Sequence, residues 1–492
     1  MPDRDAPSLP CSRCPPSQAF PGLGPSGNAR DTFVFISSVS PMNQAASEIA
    51  LPDADTPLHE RLAQAIAAMI EDGRYKPGER LPTHRELARR AGVAIGTVTK
   101  AVDVLSNRGL VRGEVGRGTF INAIARPQRA TQVDLTLNVP PLLIDEALFI
   151  AAAERSARKV LGVPSGGLYD LKGTLAQRTI LAGWLGRTRL DADPAELMLC
   201  VGAQQAIHLS FADLKRHSRS IACEAATFSG AIAAAAHLDL AWQPVEHDGE
   251  GMLPDELDRV LEETGCRAIY ATPVCQNPLG FEVGEARRRQ IIQIAEKHDA
   301  YIVEDDIYGI YSVRGRPTYK ELAPGRVYYL TSLSKCLTPL ARVGVLVPPE
   351  DRLAPLLRAL RAEVFGAPPT ALELGCALIE LGADVVAAQA LRKEAGIRTA
   401  MASRILGLSS LPMPEGAPHL WLPMPAMDAE RLARRSSEHG VRLTPPDATS
   451  VGAAQAGGVR LCILAPAERD DMERALKTVA RLLADTEDET VV

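Results

Sequence analysis

Residues 300–335 read AYIVEDDIYGIYSVRGRPTYKELAPGRVYYLTSLSK. Two short apolar runs, Ala300–Val303 and Val327–Leu330, have the composition of buried strands. The first runs into three acids, Glu304-Asp305-Asp306. The second runs into Thr331-Ser332-Leu333-Ser334-Lys335. Polar groups at the carboxyl ends of strands in an open α/β sheet face the crevice where ligands bind. Taken alone, either segment reads equally well as a solvated loop. What gives them weight is their neighbours. Gln276-Asn277-Pro278-Leu279-Gly280 follows another strand-like run, Arg267–Thr272, and Arg342 opens a third, Arg342–Val347.

Outward from this stretch the same rhythm continues. From Val133 onward, strand-like runs alternate with helical ones such as Glu285–His298. That alternation predicts a parallel sheet covered by helices on both faces. The chain has 492 residues, 46% apolar and 23% charged, an ordinary globular composition that excludes a fibrous repeat. At roughly 150 residues per domain, about three compact units are expected. No uncharged apolar stretch approaches the roughly 18 residues of a membrane span. The longest, around Ala231–Ala236, stops at His237 and Asp239.

The order of these motifs resembles the fold-type-I pyridoxal-phosphate enzymes, the aspartate aminotransferase superfamily. The family pattern is NPxG, then D-x-x-Y after a strand, then S-x-S-K, then an arginine before a glycine. All four occur here in order, and the resemblance extends to Tyr169-Asp170-Leu171-Lys172-Gly173 and Gly202-Ala203-Gln204-Gln205. It implies an α/β transferase domain with a smaller C-terminal α/β subdomain, and pyridoxal 5'-phosphate as cofactor. Lys335 is then the catalytic residue, forming the Schiff base with the cofactor aldehyde as an internal aldimine. Asp305 pairs with the pyridinium nitrogen. Tyr308 and Asn277 bond the phenolic oxygen, and Phe228 stacks on the ring. Ser332, Ser334, Arg342 and the helix opening at Gly202, Ala203 and Gln204 hold the phosphate, as an anion at a helix N-terminus should be held. Tyr169 matches a tyrosine that reaches the neighbouring subunit's phosphate, which implies a homodimer. Arg460, in Val459-Arg460-Leu461-Cys462-Ile463, matches the arginine that grips a substrate carboxylate, although one arginine in a strand is more often a surface residue.

Residues 57–122 have a different character. Leu58, Leu62, Ile66, Met69 and Ile70 recur at helical spacing up to Asp72-Gly73. Pro77-Gly78 makes a turn. Thr83 with Glu86 predicts a capping box opening a short helix, Thr83–Ala91, which Gly92 breaks. A third helix, about Ala94 to Asn107, buries Val98, Val102 and Leu105, and Gly109 closes it. Two short strands, Leu110–Arg112 and Thr119–Ile121, then flank the glycine-rich segment Gly113–Gly118. This mainly α layout is that of a winged helix-turn-helix. Residues 77–121, PGERLPTHRELARRAGVAIGTVTKAVDVLSNRGLVRGEVGRGTFI, resemble the GntR family of bacterial regulators, whose pattern is PGxxLPSxRELAxxxGVSRxTVxxAxxxLxxxGLVxxxxGxGTFV.

The resemblance implies double-stranded DNA as a partner. The third helix enters the major groove and the wing touches backbone or minor groove. The DNA-binding candidates are Arg85, Thr97, Thr99, Lys100 and Arg117, with Arg85 and Lys100 on phosphates. Arg117 could equally be a solvated turn residue. The chain departs from the family at Ala94-Ile95-Gly96, where Ser-Arg-x is commoner, so an arginine that would grip DNA is missing.

Charge follows the same division. Residues 54–122 carry a net +3 within a chain of net charge −6. A small basic module on an acidic body suggests separate partners for each. Nine cysteines, an odd number, fit a reducing cytoplasm better than a disulfide framework. Cys11 and Cys14 form a pair with no further Cys or His in residues 1–50, so no metal site is expected there. His208, His217, His237 and His298 read as packing or surface residues. The expected organisation is a disordered tail over 1–53, the winged module over 54–122, a linker over 123–132 and the aminotransferase-like domain over 133–492. No secretory signal is expected, and Met42 is an alternative start.

A winged module fused to an aminotransferase-like domain resembles the MocR subfamily. That implies a transcriptional regulator whose large domain senses pyridoxal phosphate or an amino compound that condenses with it. An active aminotransferase acting on an amino acid is the rival expectation.

Overall fold

The computed structural model describes residues 49–52, 56–76, 78–107, 110–114, 117–121, 132–162, 170–313, 315–408, 416–452 and 457–489. Outside these lie the tail through residue 48 with Cys11, Cys14 and Met42, the turn residue Pro77, Gly109 and Gly116, the linker residues 123–131, and Tyr169. The chain divides into two units, residues 1–127 and 128–492.

The first unit contains α1 (Leu58–Glu71), α2 (His84–Ala91), α3 (Ile95–Asn107), β1 (Val111–Glu114) and β2 (Gly118–Ile121). One face of α1, Leu62, Ile66 and Ile70, packs with Val98, Val102 and Leu105 of α3 in a single core, as their spacing predicts. Ile49 joins that core, and its N–H donates to the Arg90 carbonyl at 3.1 Å. Packed structure therefore begins ahead of residue 54, inside the segment expected to be a tail. The capping box over α2 forms only half. The Thr83 hydroxyl accepts from the Glu86 N–H at 3.3 Å. The Glu86 carboxylate does not reach back, because Arg89 and Arg90 each bond it at 2.9 Å. Two charge-assisted bonds from the following turn outweigh one bond to an exposed amide. They also pull the Glu86 carboxyl down to about 2. Gly92, at φ 66°, ends the helix in the left-handed conformation. The wing is antiparallel, with Val111 opposite Ile121 and Glu114 opposite Gly118.

The second unit begins with β3 (Val133–Asp134), α4 (Glu146–Gly162) and α5 (Leu175–Thr188). The sheet region follows as β4 (Met198–Val201), α6 (Gly202–Leu214), β5 (Ser220–Glu224), α7 (Ser229–His237) and β6 (Ala241–Val245). Next come a small hairpin, β7 (His247–Asp248) and β8 (Gly251–Met252), then α8 (Pro254–Thr264), β9 (Ala268–Ala271), α9 (Glu285–Lys297) and β10 (Tyr301–Asp305). It is completed by α10 (Tyr319–Leu322), β11 (Val327–Ser332), β12 (Val343–Val347), α11 (Leu353–Glu363) and α12 (Pro369–Glu380). The seven strands run in the order β4-β12-β11-β10-β9-β5-β6.

The sheet is mixed, not parallel as expected. β12 runs antiparallel to both β11 and β4. The connection over residues 333–342 is shorter than the dozen or so residues a parallel crossover requires, so the chain turns straight back. Every residue of β5, β9, β11 and β12 is buried. Helices on both faces impose that burial, which is why these strands read as continuous apolar runs.

A smaller C-terminal subdomain is built from α13 (Ala383–Leu406), β13 (Leu420–Pro423), α14 (Ala426–Glu438), β14 (Val441–Arg442), β15 (Gly458–Leu461) and α15 (Arg469–Glu489). β13 pairs with β15, and β14 pairs with β3, which returns the chain's residue 133 region to this subdomain. Leu135, Leu420, Leu432, Leu461 and Leu476 form its core.

Candidate functional site

The ends of β9, β10 and β11 open on one crevice. Three consecutive acids at the end of β10 go to three different partners. Glu304 turns into the protein, accepting from the N–H groups of Tyr319 and Lys320 at 2.9 Å and facing the fully buried Arg288. Asp306 pairs with Arg189 at 2.8 Å and accepts from the Tyr329 hydroxyl at 3.0 Å. Asp305 lies between them, 2% exposed, and its Oδ2 accepts from the Tyr270 hydroxyl at 2.7 Å. Its Oδ1 is buried and makes no full hydrogen bond among the described residues, although the Ile307 N–H also acts on the carboxyl. Burial raises the Asp305 carboxyl to about 6. A buried carboxylate oxygen without a donor is costly, and a cationic ring nitrogen placed there would satisfy it.

Lys335 follows β11 in a largely buried position. Its Nζ donates to the Asn138 carbonyl. Burial lowers its ammonium to about 8, with Arg460 and Arg342 acting the same way against the charges of Cys462 and Asp305. A lysine so placed is deprotonated often enough to attack an aldehyde. The Ser332 hydroxyl donates to Ser334 Oγ and accepts from the Ser334 N–H, both at 3.0 Å, which folds the segment before the lysine into a tight polar turn.

Gly202 opens α6 at φ 72°, and a Cβ there would lie 3.7 Å from the Arg342 guanidinium. Ala203 is buried, whereas Gln204 extends outward and donates to the Gly230 carbonyl at 2.7 Å. Phe228 is half-buried beside it. Gly230 carries no mark in the sequence: a Cβ there would fall 2.3 Å from Gln204 Oε1 and 2.4 Å from Phe228 Cε1, so a larger residue would have to move both side chains. Arg342 is exposed and holds a left-handed backbone, φ 50°. Cys275, just before Gln276 and Asn277, does the same at φ 46°. Non-glycine residues held there carry strain, which clusters at functional sites.

Arg460 is buried rather than on the surface. It donates to Asn277 Oδ1 at 2.7 Å, to the Thr136 carbonyl at 2.7 Å and to Thr444 Oγ1 at 3.0 Å, while its Nε is buried without a hydrogen-bond partner among the described residues. Tyr308 accepts from Asn138 Nδ2 at 2.8 Å. Asn138 also contacts His419, a fully buried residue that the sequence reading passed over. The structure thus gathers Lys335, Asp305, Tyr308, Asn277, Ser332, Ser334 and Arg460 about one crevice. Gly202–Gln204, Phe228 and Arg342 form a second group, joined to the first by the charge of Arg342 on Lys335. The donor set fits pyridoxal phosphate: a lysine amine, an acid with a free oxygen, and a helix N-terminus beside an arginine.

In the first unit the expected DNA contacts are exposed, apart from the half-buried Thr97. Arg85 and Lys100 project from α2 and α3. Thr99 is partly engaged, donating to the Ile95 carbonyl at 3.2 Å and lying 3.3 Å from His84 Nδ1. Arg117 sits 5.8 Å from the centroid of the Phe120 ring. Arg80, not singled out from sequence, lies against the wing: a Cβ on Gly118 would be 2.6 Å from its Nε.

Comparison with known proteins follows this division. Residues 58–121 match the model of the bacterial regulatory proteins of the gntR family, and residues 130–479 match aminotransferase class I and II. The HTH-type transcriptional regulator TauR of Rhodobacter capsulatus is 29% identical over 446 residues, 80% of this chain and 90% of its own. The probable rhizopine catabolism regulatory protein MocR of Rhizobium meliloti is 28% identical over 335 residues, 61% of this chain and 67% of its own. Among solved structures, LysN from Thermus thermophilus, an alpha-aminoadipate aminotransferase complexed with N-(5'-phosphopyridoxyl)-L-leucine, superposes with a TM-score of 0.63. It is 23% identical and covers 77% of this chain and 97% of its own.

Proposed function

This chain belongs to the aminotransferase class I and II family and is a regulator of the gntR type fused to that domain; from that premise we propose that its large unit holds pyridoxal phosphate on Lys335 and senses an amino compound or the cofactor itself, and that the small unit reads double-stranded DNA. The observation that carries the proposal is that Lys335, half-buried just after β11, and Asp305, a buried acid at the end of the adjacent β10, stand at neighbouring strand ends, with Asp305 Oδ1 making no full hydrogen bond among the described residues. When bound, pyridoxal phosphate supplies an aldehyde that condenses reversibly with primary amines and a ring that withdraws electrons.

The chain's own groups have distinct tasks. Asp305 keeps a proton on the ring nitrogen, helped by Tyr270 on its other oxygen. Tyr308 and Asn277 would bond the phenolic oxygen. Phe228 would cover the ring. Ser332, Ser334, Gly202, Ala203, Gln204 and Arg342 would bind the phosphate, and Tyr169, outside the described residues, is the residue that the family resemblance assigns to the phosphate of a second copy. Arg460 would orient a carboxylate on the amino ligand by its charge and by the Nε and Nη1 hydrogens that its bonds to Asn277, Thr136 and Thr444 leave over. Asn277 Oδ1 holds its guanidinium in place beforehand. The large unit is expected to form a homodimer, as its family resemblance implies. Two copies would present two winged modules to paired half-sites. Among the described residues no helix is long and apolar enough to cross a membrane. A regulator that reads DNA works where the DNA is, which supports a cytoplasmic protein.

Regulation and turnover are separated by two measurements on the loaded chain. Amines that shift the visible spectrum should alter DNA binding without forming keto acid at ordinary enzyme rates. Steady keto-acid production with no DNA binding at physiological salt would contradict the regulator and favour an aminotransferase. Lys335→Ala should remove the visible band and leave the circular dichroism spectrum unchanged.

A further inference from the structure

A tyrosine hydroxyl has one proton to give and two lone pairs. That of Tyr308 accepts a 2.8 Å bond from Asn138 Nδ2. The same amide nitrogen lies 2.9 Å from His419 Nδ1, which takes its second proton. On the far side of the imidazole, Nε2 is 3.0 Å from the Gln276 carbonyl oxygen. A carbonyl oxygen can only accept, so the ring proton sits on Nε2 and Nδ1 is an acceptor. Burial and the nearby charges of Arg460 and Lys335 keep the ring neutral, lowering its pKa to about 3.

A neutral ring fixed in this tautomer decides which way the Asn138 amide faces. Reversed, the amide would set Oδ1 against Nδ1, two acceptors in contact, and would also take the Tyr308 proton. In the observed orientation that proton has no protein acceptor among the described residues and is free to be given to a group in the crevice. The ring packs edge-on to Tyr308, with centroids 5.5 Å apart. His419 immediately precedes β13 in the small subdomain, whereas Gln276 and Tyr308 follow strands of the large sheet and Asn138 follows β3. Tyr308, Arg460 and Lys335 are the ionisable groups that face it, with Asp305 and Cys462 acting on the same neighbours.

The geometry points to His419 as a positioning residue that, through Asn138, sets Tyr308 as the hydrogen-bond donor to the phenolic oxygen of the bound cofactor. This rests on the reading that the crevice holds pyridoxal phosphate.

The test is a pH titration of the visible band of the full chain loaded with pyridoxal phosphate. His419→Phe keeps a ring and removes the acceptor, and should raise the midpoint by about one pH unit, or about tenfold in proton affinity, as the phenolate loses a donated bond. Asn138→Ala removes the amide that could take the Tyr308 proton, so it should leave the midpoint within about a third of a unit, and in that background His419→Phe should no longer move it; this arm reads the link even if His419→Phe alone does not fold. His419→Asn places an oxygen where Nδ1 stands and should bring the midpoint back to within about a third of a unit. In a Tyr308→Phe background, His419→Phe should add nothing, because both act through one bond. An unchanged midpoint in His419→Phe, a shift of a full unit in Asn138→Ala, or a His419→Phe shift fully additive to that of Tyr308→Phe, would overturn the assignment. A parent chain that shows no visible band would instead overturn the cofactor reading on which it rests.

Discussion

The two units place their functional side chains in opposite ways. In the winged unit Arg85, Lys100 and Arg117 stand in solvent. In the large unit Asp305, Tyr308 and Arg460 are buried and bonded to each other's neighbours. Exposed cations act through charge, which is additive and screened by salt. Buried groups act through fixed partners, so removing one leaves others unsatisfied. The small unit should therefore answer mutation in small independent steps, and the large unit in large coupled ones.

The sharpest way to break this contrast is Asp305→Ala. Losing a buried charge-assisted contact to the ring nitrogen should weaken pyridoxal-phosphate binding by about 100-fold, read by equilibrium dialysis. A change of less than about threefold would mean that Asp305 does not meet the cofactor. The second prediction concerns pH. Burial lowers the Lys335 ammonium to about 8. The protonated amine cannot attack, so the rate of cofactor attachment should rise about tenfold per pH unit on the acid side and level off above about 8. A midpoint near that of an ordinary lysine would show that the amine is not desolvated.

Arg85→Ala and Lys100→Ala should each weaken DNA binding a few-fold on all sequences and reduce the salt slope by about one, while the bound-cofactor spectrum stays unchanged. An effect confined to one sequence would make the residue a base reader. The smallest effect is expected for Thr83→Ala, which removes the cap on α2 and should cost about 1 kcal/mol in the unfolding of the winged unit.

This contrast also explains what could be read from sequence. Asp305, Ser332, Ser334 and Lys335 lie at or within three residues of a strand's end, Arg342 immediately precedes a strand and Asn277 lies in the loop after β9, so a local motif marks each. Helices α1 and α3 of the first unit follow from the spacing of Leu62, Ile66, Val98, Val102 and Leu105, and α2 from the Thr83 cap and the Gly92 stop. Tyr270, Gly230, Asn138 and His419 carry no local mark. Each matters only because folding brings it against a residue far away in sequence, as Asn138 meets His419. The direction of β12 was missed because alternation of elements says nothing about a short connection. The Glu86 cap was misread because Arg89 and Arg90, one turn later, compete for the same carboxylate.

Covalent attachment at one lysine is the central claim, and it can be read directly. The full chain is incubated with pyridoxal phosphate, reduced with borohydride, digested and mapped by mass spectrometry. The account predicts a single stoichiometric phosphopyridoxyl adduct on Lys335, absent from Lys335→Ala. No adduct, or one spread over surface lysines with Lys335 unmodified, would contradict it.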